Sequence, residues 1–212
     1  DTRISQRGET LRAQQLVERR ERETRARRWE TQDENEAYAA TQLDRSVVNP
    51  DQIRTVIRAF HDNWPEIFPG RKELPKTLVF AKTDSHADDI IQTARQEFGE
   101  GNDFCRKITN GAKNPKSSLT AFRNDYYPRI AVTVDMIATG TDVRSLECLL
   151  FMRDVKSRSY FEQMKGRGTR VLEPDDLRKV SPSAQAKTHY VIVDAVGVTK
   201  SLKTASLPLD TK

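Results

Sequence analysis

The sequence predicts an α/β fold in which a parallel sheet carries helices on both faces, preceded by a charged N-terminal extension. Three observations predict it. Short apolar runs bounded by turn residues recur from residue 77 onward. Between them lie stretches whose apolar residues fall at helical spacing. Strands and helices that alternate this way need crossover connections, and crossovers cover both faces of a parallel sheet.

The first 48 residues carry ten basic and ten acidic side chains, so they add no net charge. Helix propensity favours residues 9–28, rich in Glu, Arg and Gln. The apolar positions Leu11, Leu16, Val17 and Trp29 nevertheless make no helical stripe. Val17-Glu18-Arg19-Arg20 and Arg27-Arg28-Trp29-Glu30 can instead be two strands of an exposed charged hairpin. On the residues alone, both readings stay open.

From Asn49 the signals sharpen. Asn49-Pro50 reads as an N-cap followed by proline at the first helical position. Ile53, Val56, Ile57, Phe60 and Trp64 recur at helical spacing, and Pro65 is expected to end or bend that helix. Pro69-Gly70 and Pro75 mark a loop. Residues 77–81 then read as a buried strand, and 85–98 as a helix with Ala87, Ile90, Ile91, Ala94 and Phe98 facing inward. A strand at 104–109, a helix at 116–123, strands at 130–134 and 148–152, a helix at 159–165 and a last strand at 190–194 follow. The expected organisation is a charged segment at 1–48, the α/β domain at 49–195, and a tail at 196–212 leading into a following domain.

Composition limits the function classes. The chain has 212 residues, 36% hydrophobic and 32% charged, enough for one core under a strongly ionic surface. The net charge of +5 lies entirely within 49–212, which hints at a polyanionic partner such as nucleic acid. Cys105 and Cys148 are far apart in apolar runs, which suits buried free thiols and gives no metal spacing. Without a secretory signal or a membrane-spanning run, a cytoplasmic setting with no membrane contact is expected. A chain that begins at Asp1 without methionine reads as a piece of something longer.

Ligands on parallel sheets gather beyond the C-terminal ends of the strands, so the loops there are inspected first. Lys82-Thr83-Asp84-Ser85-His86 offers a cation and two hydroxyls at a helix start, suited to a backbone phosphate or to plain N-capping. His86, with no partner at metal-ligand spacing, reads as a packed or exposed surface histidine. Residues 107–111 end a strand in a polar turn, either a glycine turn or a nucleic-acid contact. Thr133 closes another strand, and the small-residue loop after it carries Gly140 and Asp142. Glycine there lets backbone approach a ligand, and the carboxylate can accept ribose hydroxyl bonds. Finally, Gln163-Met164-Lys165-Gly166-Arg167-Gly168-Thr169-Arg170 sets two arginines three apart. On a helix they would share a face and could clamp a nucleotide γ-phosphate, or simply form a basic helix end in water.

These stretches resemble motifs IV, V and VI of the superfamily-2 helicases, in order. Residues 80–83 match the first, 133–142 the second and 163–170 the third. The match implies the second RecA-like motor domain. Residues 1–5, 49–56, 122–124 and 151–157 further resemble the motor (R) subunit of type I restriction endonucleases, a resemblance covering nearly the whole chain. In that family the early charged segment is an insertion near the junction of the motor domains, which favours the hairpin.

By this resemblance Arg167 and Arg170 would be arginine fingers, and Gln163 would help place the γ-phosphate or the attacking water. Gly140, Asp142 and Gly166 would complete the nucleotide edge. ATP with Mg2+ would be held mainly by a first RecA-like domain of the same protein. Lys82, Thr83, Asn110 and Thr133 would track the phosphates of double-stranded DNA, contacts that position the duplex and carry no sequence readout. Methylation and specificity subunits would be the further partners. No G-x-x-x-x-G-K-[ST] loop occurs, and the Gly111-Ala112-Lys113 stretch does not fit one, so this chain alone is expected neither to hydrolyse ATP nor to cut DNA. Another superfamily-2 helicase motor, or a catalytically silent nucleic-acid-binding module, are the alternatives.

Overall fold

The computed structural model describes residues 9–11, 16–20, 27–31, 36–38, 50–109, 112, 114–134 and 142–200. Four short strands come first: β1 (Glu9–Leu11), β2 (Leu16–Arg20), β3 (Arg27–Thr31) and β4 (Glu36–Tyr38). β2 pairs antiparallel with β3, Val17 opposite Glu30 and Arg20 opposite Arg27, while β1 pairs antiparallel with β4. Strands thus occupy part of the stretch where propensity favours helix. The physical reason is visible in the sequence: a helix there would have no apolar stripe to dock, and propensity alone rarely sustains one.

The α/β unit begins with α1 (Pro50–Ile67), which runs on through Pro65. It continues as β5 (Lys76–Phe80), α2 (Asp84–Phe98), β6 (Cys105–Lys107), α3 (Pro115–Asn124), β7 (Ile130–Thr133), β8 (Leu146–Phe151), α4 (Arg158–Gly166), α5 (Pro174–Val180) and β9 (Val191–Asp194). Five strands form one sheet in the order β6-β7-β5-β8-β9, and every pairing is parallel. Among the described elements, β1, β4 and α5 lack a counterpart in the sequence reading, and of these α5 lies in the α/β unit. Its signals were Pro174 at the first turn, Asp175 and Asp176 beside it, and Arg178 and Lys179 in the last turn, a distribution that complements the helix dipole.

Strand alternation divides the core between the two faces. Val79, Ile130, Val132, Cys148 and Leu150 face one way and pack with Ile53, Ile57 and Phe60 of α1 and with Ala87, Ile90 and Ala94 of α2. Phe80, Ala131, Leu149 and Phe151 face the other way and pack with Phe122 of α3 and with Phe161 and Met164 of α4. Both cysteines are buried free thiols whose pKa values burial pushes up to about 12. Each is therefore an inert packing group at neutral pH.

Chain packing continues past Asp194. Its carboxylate accepts from the Val196, Val198 and Thr199 N–H groups and from the Thr199 hydroxyl, at 3.2, 2.9, 2.9 and 2.6 Å. That turn drives Val198, 0% exposed, into the second core cluster. The first part of the stretch set apart as a tail at 196–212 therefore packs with the sheet; residues 201–212 lie outside the described residues.

Two basic side chains are buried at the N-terminal edge of the sheet. The Lys76 Nζ donates to the carbonyls of Asp125, Tyr126 and Pro128 at 2.6, 3.0 and 2.7 Å and lies over the Phe122 ring. Arg129 donates to the carbonyls of Leu74, Tyr126 and Val180 and to the Ser181 hydroxyl. Together they tie the loop before β7 to β5 and to the end of α5. A lysine or arginine at a strand start ordinarily reads as solvated, so nothing in the sequence flagged either one.

Candidate functional site

The described residues among those singled out in the sequence fall into two groups at opposite edges of the sheet. Lys82 and Thr83 directly follow β5, and Thr133 ends the neighbouring β7, opposite Phe80 in register. All three stand at the C-terminal edge, where the Ala81 N–H donates to the Thr133 carbonyl at 2.8 Å. Asn110 lies outside the described residues. Thr83 is the N-cap of α2, its hydroxyl oxygen accepting from the His86 N–H at 3.1 Å. The capping reading is thus realised by Thr83. His86 is 6% exposed, and its Nδ1 accepts from the Lys82 N–H at 3.2 Å. A backbone N–H cannot give up its proton, so Nδ1 carries none and the imidazole helps fix the start of the Lys82 turn. Lys107 is tied to Asp84 and Asp88 of α2 at 3.2 and 2.8 Å.

The arginine-bearing segment lies elsewhere. Helix α4 ends at Gly166, Arg167 is its C-cap, and Arg170 is beyond the turn that follows. A turn, not a helix, therefore spaces the two arginines, so they do not share a helical face. The segment comes to rest against the chain entering β8 and β9, at the N-terminal edge. There the Asp142 carboxylate meets Arg144 at 3.1 Å and Arg170 at 3.7 Å. The Lys187 ammonium donates to the carbonyls of Arg144 and Arg170 at 2.9 and 2.7 Å. Burial pushes the Lys187 pKa down to about 8, against the opposing fields of Glu147 and Asp142.

Both guanidiniums on Asp142 are 64% exposed, and the carboxylate is 42% exposed. Ion pairs this open are worth about 0–1 kcal/mol. Partners this weak leave both guanidiniums able to take a phosphate oxygen, which they match in charge and fork geometry. Gln163 is exposed on α4, and Gly140 lies outside the described residues. Among the described residues no group of three or more His, Cys, Asp or Glu could hold a metal ion. The converging donors are cationic and suit phosphate oxygens.

Packing demands a glycine at one position of this turn. Around Gly166 an added β-carbon would meet nothing within 4 Å. At Gly168 it would lie 2.5 Å from Tyr190 Cδ2 and 2.8 Å from Cγ. The arginine turn thus lies directly on Tyr190, the residue before β9, and only glycine permits that approach. The i, i+2 spacing of Gly166 and Gly168 was legible in the sequence, but which one meets a neighbour was not.

An all-parallel five-stranded sheet in this order, helices on both faces, is a RecA-like fold. In sequence the chain is similar to parts of the endonuclease subunits of two type I restriction enzymes. It is 35% identical over 137 residues to the endonuclease subunit of type I restriction enzyme EcoKI from Escherichia coli K12, covering 60% of this chain and 11% of that protein. The EcoAI endonuclease subunit of Escherichia coli is 27% identical over 142 residues, covering 64% and 17%. The chain therefore spans well under a fifth of either relative. No family model matches it. Among solved structures, a fragment assigned to an HsdR subunit of a type I restriction enzyme from Vibrio vulnificus YJ016 superposes with a TM-score of 0.54 at 20% identity, covering 75% of this chain and 33% of that one. Domain 2 of the DEAD-box helicase Mss116p, solved bound to an RNA duplex, superposes with a TM-score of 0.50 at 14% identity, covering 76% and 61%. At those identities the two structures speak to fold alone. Among the described residues no helix is long and apolar enough to cross a membrane.

Proposed function

We propose that this chain is the second RecA-like motor domain of an ATP-dependent DNA translocase, within the R subunit of a type I restriction endonuclease. Arg167 and Arg170 are its arginine fingers, Gln163 helps place the γ-phosphate or water, and Gly140, Asp142 and Gly166 complete the nucleotide edge. ATP with Mg2+ is held mainly by a first RecA-like domain, which lies outside this chain. Lys82, Thr83, Asn110 and Thr133 contact the phosphates of double-stranded DNA. The methylation and specificity subunits of the complex choose the site, since backbone contacts carry no sequence information.

The observation that carries this reading is the separation of the two groups. The Arg170–Asp142 cluster and the Lys82–Thr83–Thr133 cluster stand at opposite edges of one rigid sheet. Closure of two such domains on ATP at one edge would move the other edge along DNA, which is the geometry a motor needs. Similarity to other superfamily-2 motors fits the fold equally; the sequence similarity to restriction subunits favours this branch.

The chain alone carries no phosphate loop and neither hydrolyses ATP nor cuts DNA. In the full-length protein that contains it, Arg167→Ala or Arg170→Ala lowers ATP turnover by about 10³-fold or more, the usual worth of an arginine finger, while DNA binding stays mostly intact. Near-normal turnover in both variants would refute the assignment.

A further inference from the structure

We propose that Lys187 is a positioning residue for ATP hydrolysis, locking the arginine turn to the Asp142–Arg144 loop; this rests on the reading of Arg170 as an arginine finger. Nothing in the sequence motifs points to Lys187, which stands in a stretch with no helicase signature. The geometry does. Its ammonium bonds the backbone of both segments at once, to the Arg144 carbonyl at 2.9 Å and the Arg170 carbonyl at 2.7 Å. The side chains of those same two residues meet on Asp142. The result is a closed ring: Asp142 joins Arg144 and Arg170 through their guanidiniums, and Lys187 joins them through their carbonyls.

The ring has one firm side and one loose side. The guanidinium contacts are exposed and weak, so they can be exchanged for phosphate. Lys187 is itself half-buried, and its contacts run to backbone carbonyls, not to the guanidiniums that a nucleotide phosphate would take. Lys187 therefore holds the base of Arg170 while its tip is released. Three residues further on, Tyr190 bears on Gly168 from the same strand approach, so residues 187–190 back the whole arginine turn. Misplacing a finger by about 1 Å can cost on the order of 10²-fold in rate.

The charged state of the amine matters to this device. Asp142 and Glu147 face it with negative charge, Glu147 itself paired to Arg71, while Arg144 and Arg170 present carbonyls to it and guanidiniums to Asp142. With a pKa near 8 the ammonium is lost in mildly alkaline solution, and the carbonyl bonds weaken with it.

The test uses steady-state ATP hydrolysis by the full-length protein in its complex with DNA. Lys187→Met should lower kcat about tenfold and leave KM for ATP within about twofold, the signature of an interaction that acts in the transition state. Lys187→Arg should recover most of kcat. Its rate should also stay level from about pH 7 to about pH 9, where the wild-type rate falls, because a guanidinium does not titrate there. A purely structural role would lower thermal stability without that difference in pH profile. Wild-type kcat in Lys187→Met, or superimposable profiles for Lys187→Arg and wild type, would overturn the proposal provided Arg170→Ala still abolishes turnover. If Arg170→Ala keeps its turnover, the arginine-finger reading itself has failed, and Lys187 falls with it.

Discussion

Tyr190 occupies the space a side chain at residue 168 would need, its Cδ2 and Cγ lying 2.5 and 2.8 Å from the position of a β-carbon there. These atoms sit close to the Tyr190 backbone, so the ring cannot swing clear as the tip of a flexible chain would. The contact joins the arginine turn after α4 to the chain entering β9.

Gly168→Ala should therefore push the turn off the sheet, at an overpacking cost of about 1–3 kcal/mol. In the full-length protein ATP turnover should fall by more than this loss of stability explains, because Arg167 and Arg170 flank the glycine. Combining it with Tyr190→Ala, which opens the space, should restore part of the turnover. Parallel thermal melts and kinetics separate the two effects; additive losses in the double variant would show that the residues do not meet.

At the other edge, Lys82→Ala should weaken DNA binding almost uniformly across sequences. If Lys82 neutralises one phosphate, the slope of log affinity against log salt should drop by about 1. Thr83→Ala makes the contrast, since its hydroxyl caps α2. It should cost about 0.5–2 kcal/mol of stability, and its effect on DNA affinity reports whether the hydroxyl serves a phosphate as well. An unchanged salt slope for Lys82→Ala would remove that residue from the DNA track.

Lys76 gives a pH signature. Burial first, and Arg129 beside it, push its pKa from the ordinary lysine range down to about 6. Between about pH 6 and about pH 10 the unfolded chain then binds more protons than the folded one, so stability rises with pH through that window. Lys76→Met should flatten this rise. It should also destabilise the domain by about 1–3 kcal/mol, since the carbonyls of Asp125, Tyr126 and Pro128 lose their shared donor. Denaturant melts across that range supply the check, and an unaltered slope in Lys76→Met would assign the rise to another group.

Asp194 behaves in the opposite sense. Burial alone would raise its pKa, but the Thr199 hydroxyl and the N–H groups of Thr199, Val198 and Val196 together hold it below the usual value. Its contribution is present above the unfolded carboxylate pKa and disappears as pH falls through the depressed one. Asp194→Ala should cost about 1–3 kcal/mol at neutral pH and nearly nothing in strong acid. It should also increase hydrogen exchange at Val198, whose N–H it binds. Equal losses at both pH values would contradict this.

The fold was largely legible because its information is local. Apolar runs such as 130–134 and 148–152 are buried on both faces of a parallel sheet and so announce themselves without partners. The start of α1 was equally plain, and Thr83, Gln163, Arg167 and Arg170 stand in motifs readable along the chain. Spacing along the chain is less telling: Arg167 and Arg170 would share a face only on a helix, and α4 ends at Gly166, with glycine on either side of Arg167 marking that ending.

The amino-acid order by itself determined the elements, the faces they bury and the residue types able to meet phosphate, because periodicity and side-chain chemistry are properties of a single stretch. Only the tertiary structure decided that Asp142 meets Arg170, that Lys187 bridges the carbonyls of Arg144 and Arg170, and that the cationic groups divide between two edges of the sheet. Lys187 is 17 residues from Arg170 and 43 from Arg144. Contacts over such separations are set by strand order and crossover geometry, which bring distant stretches together without leaving a mark on either one.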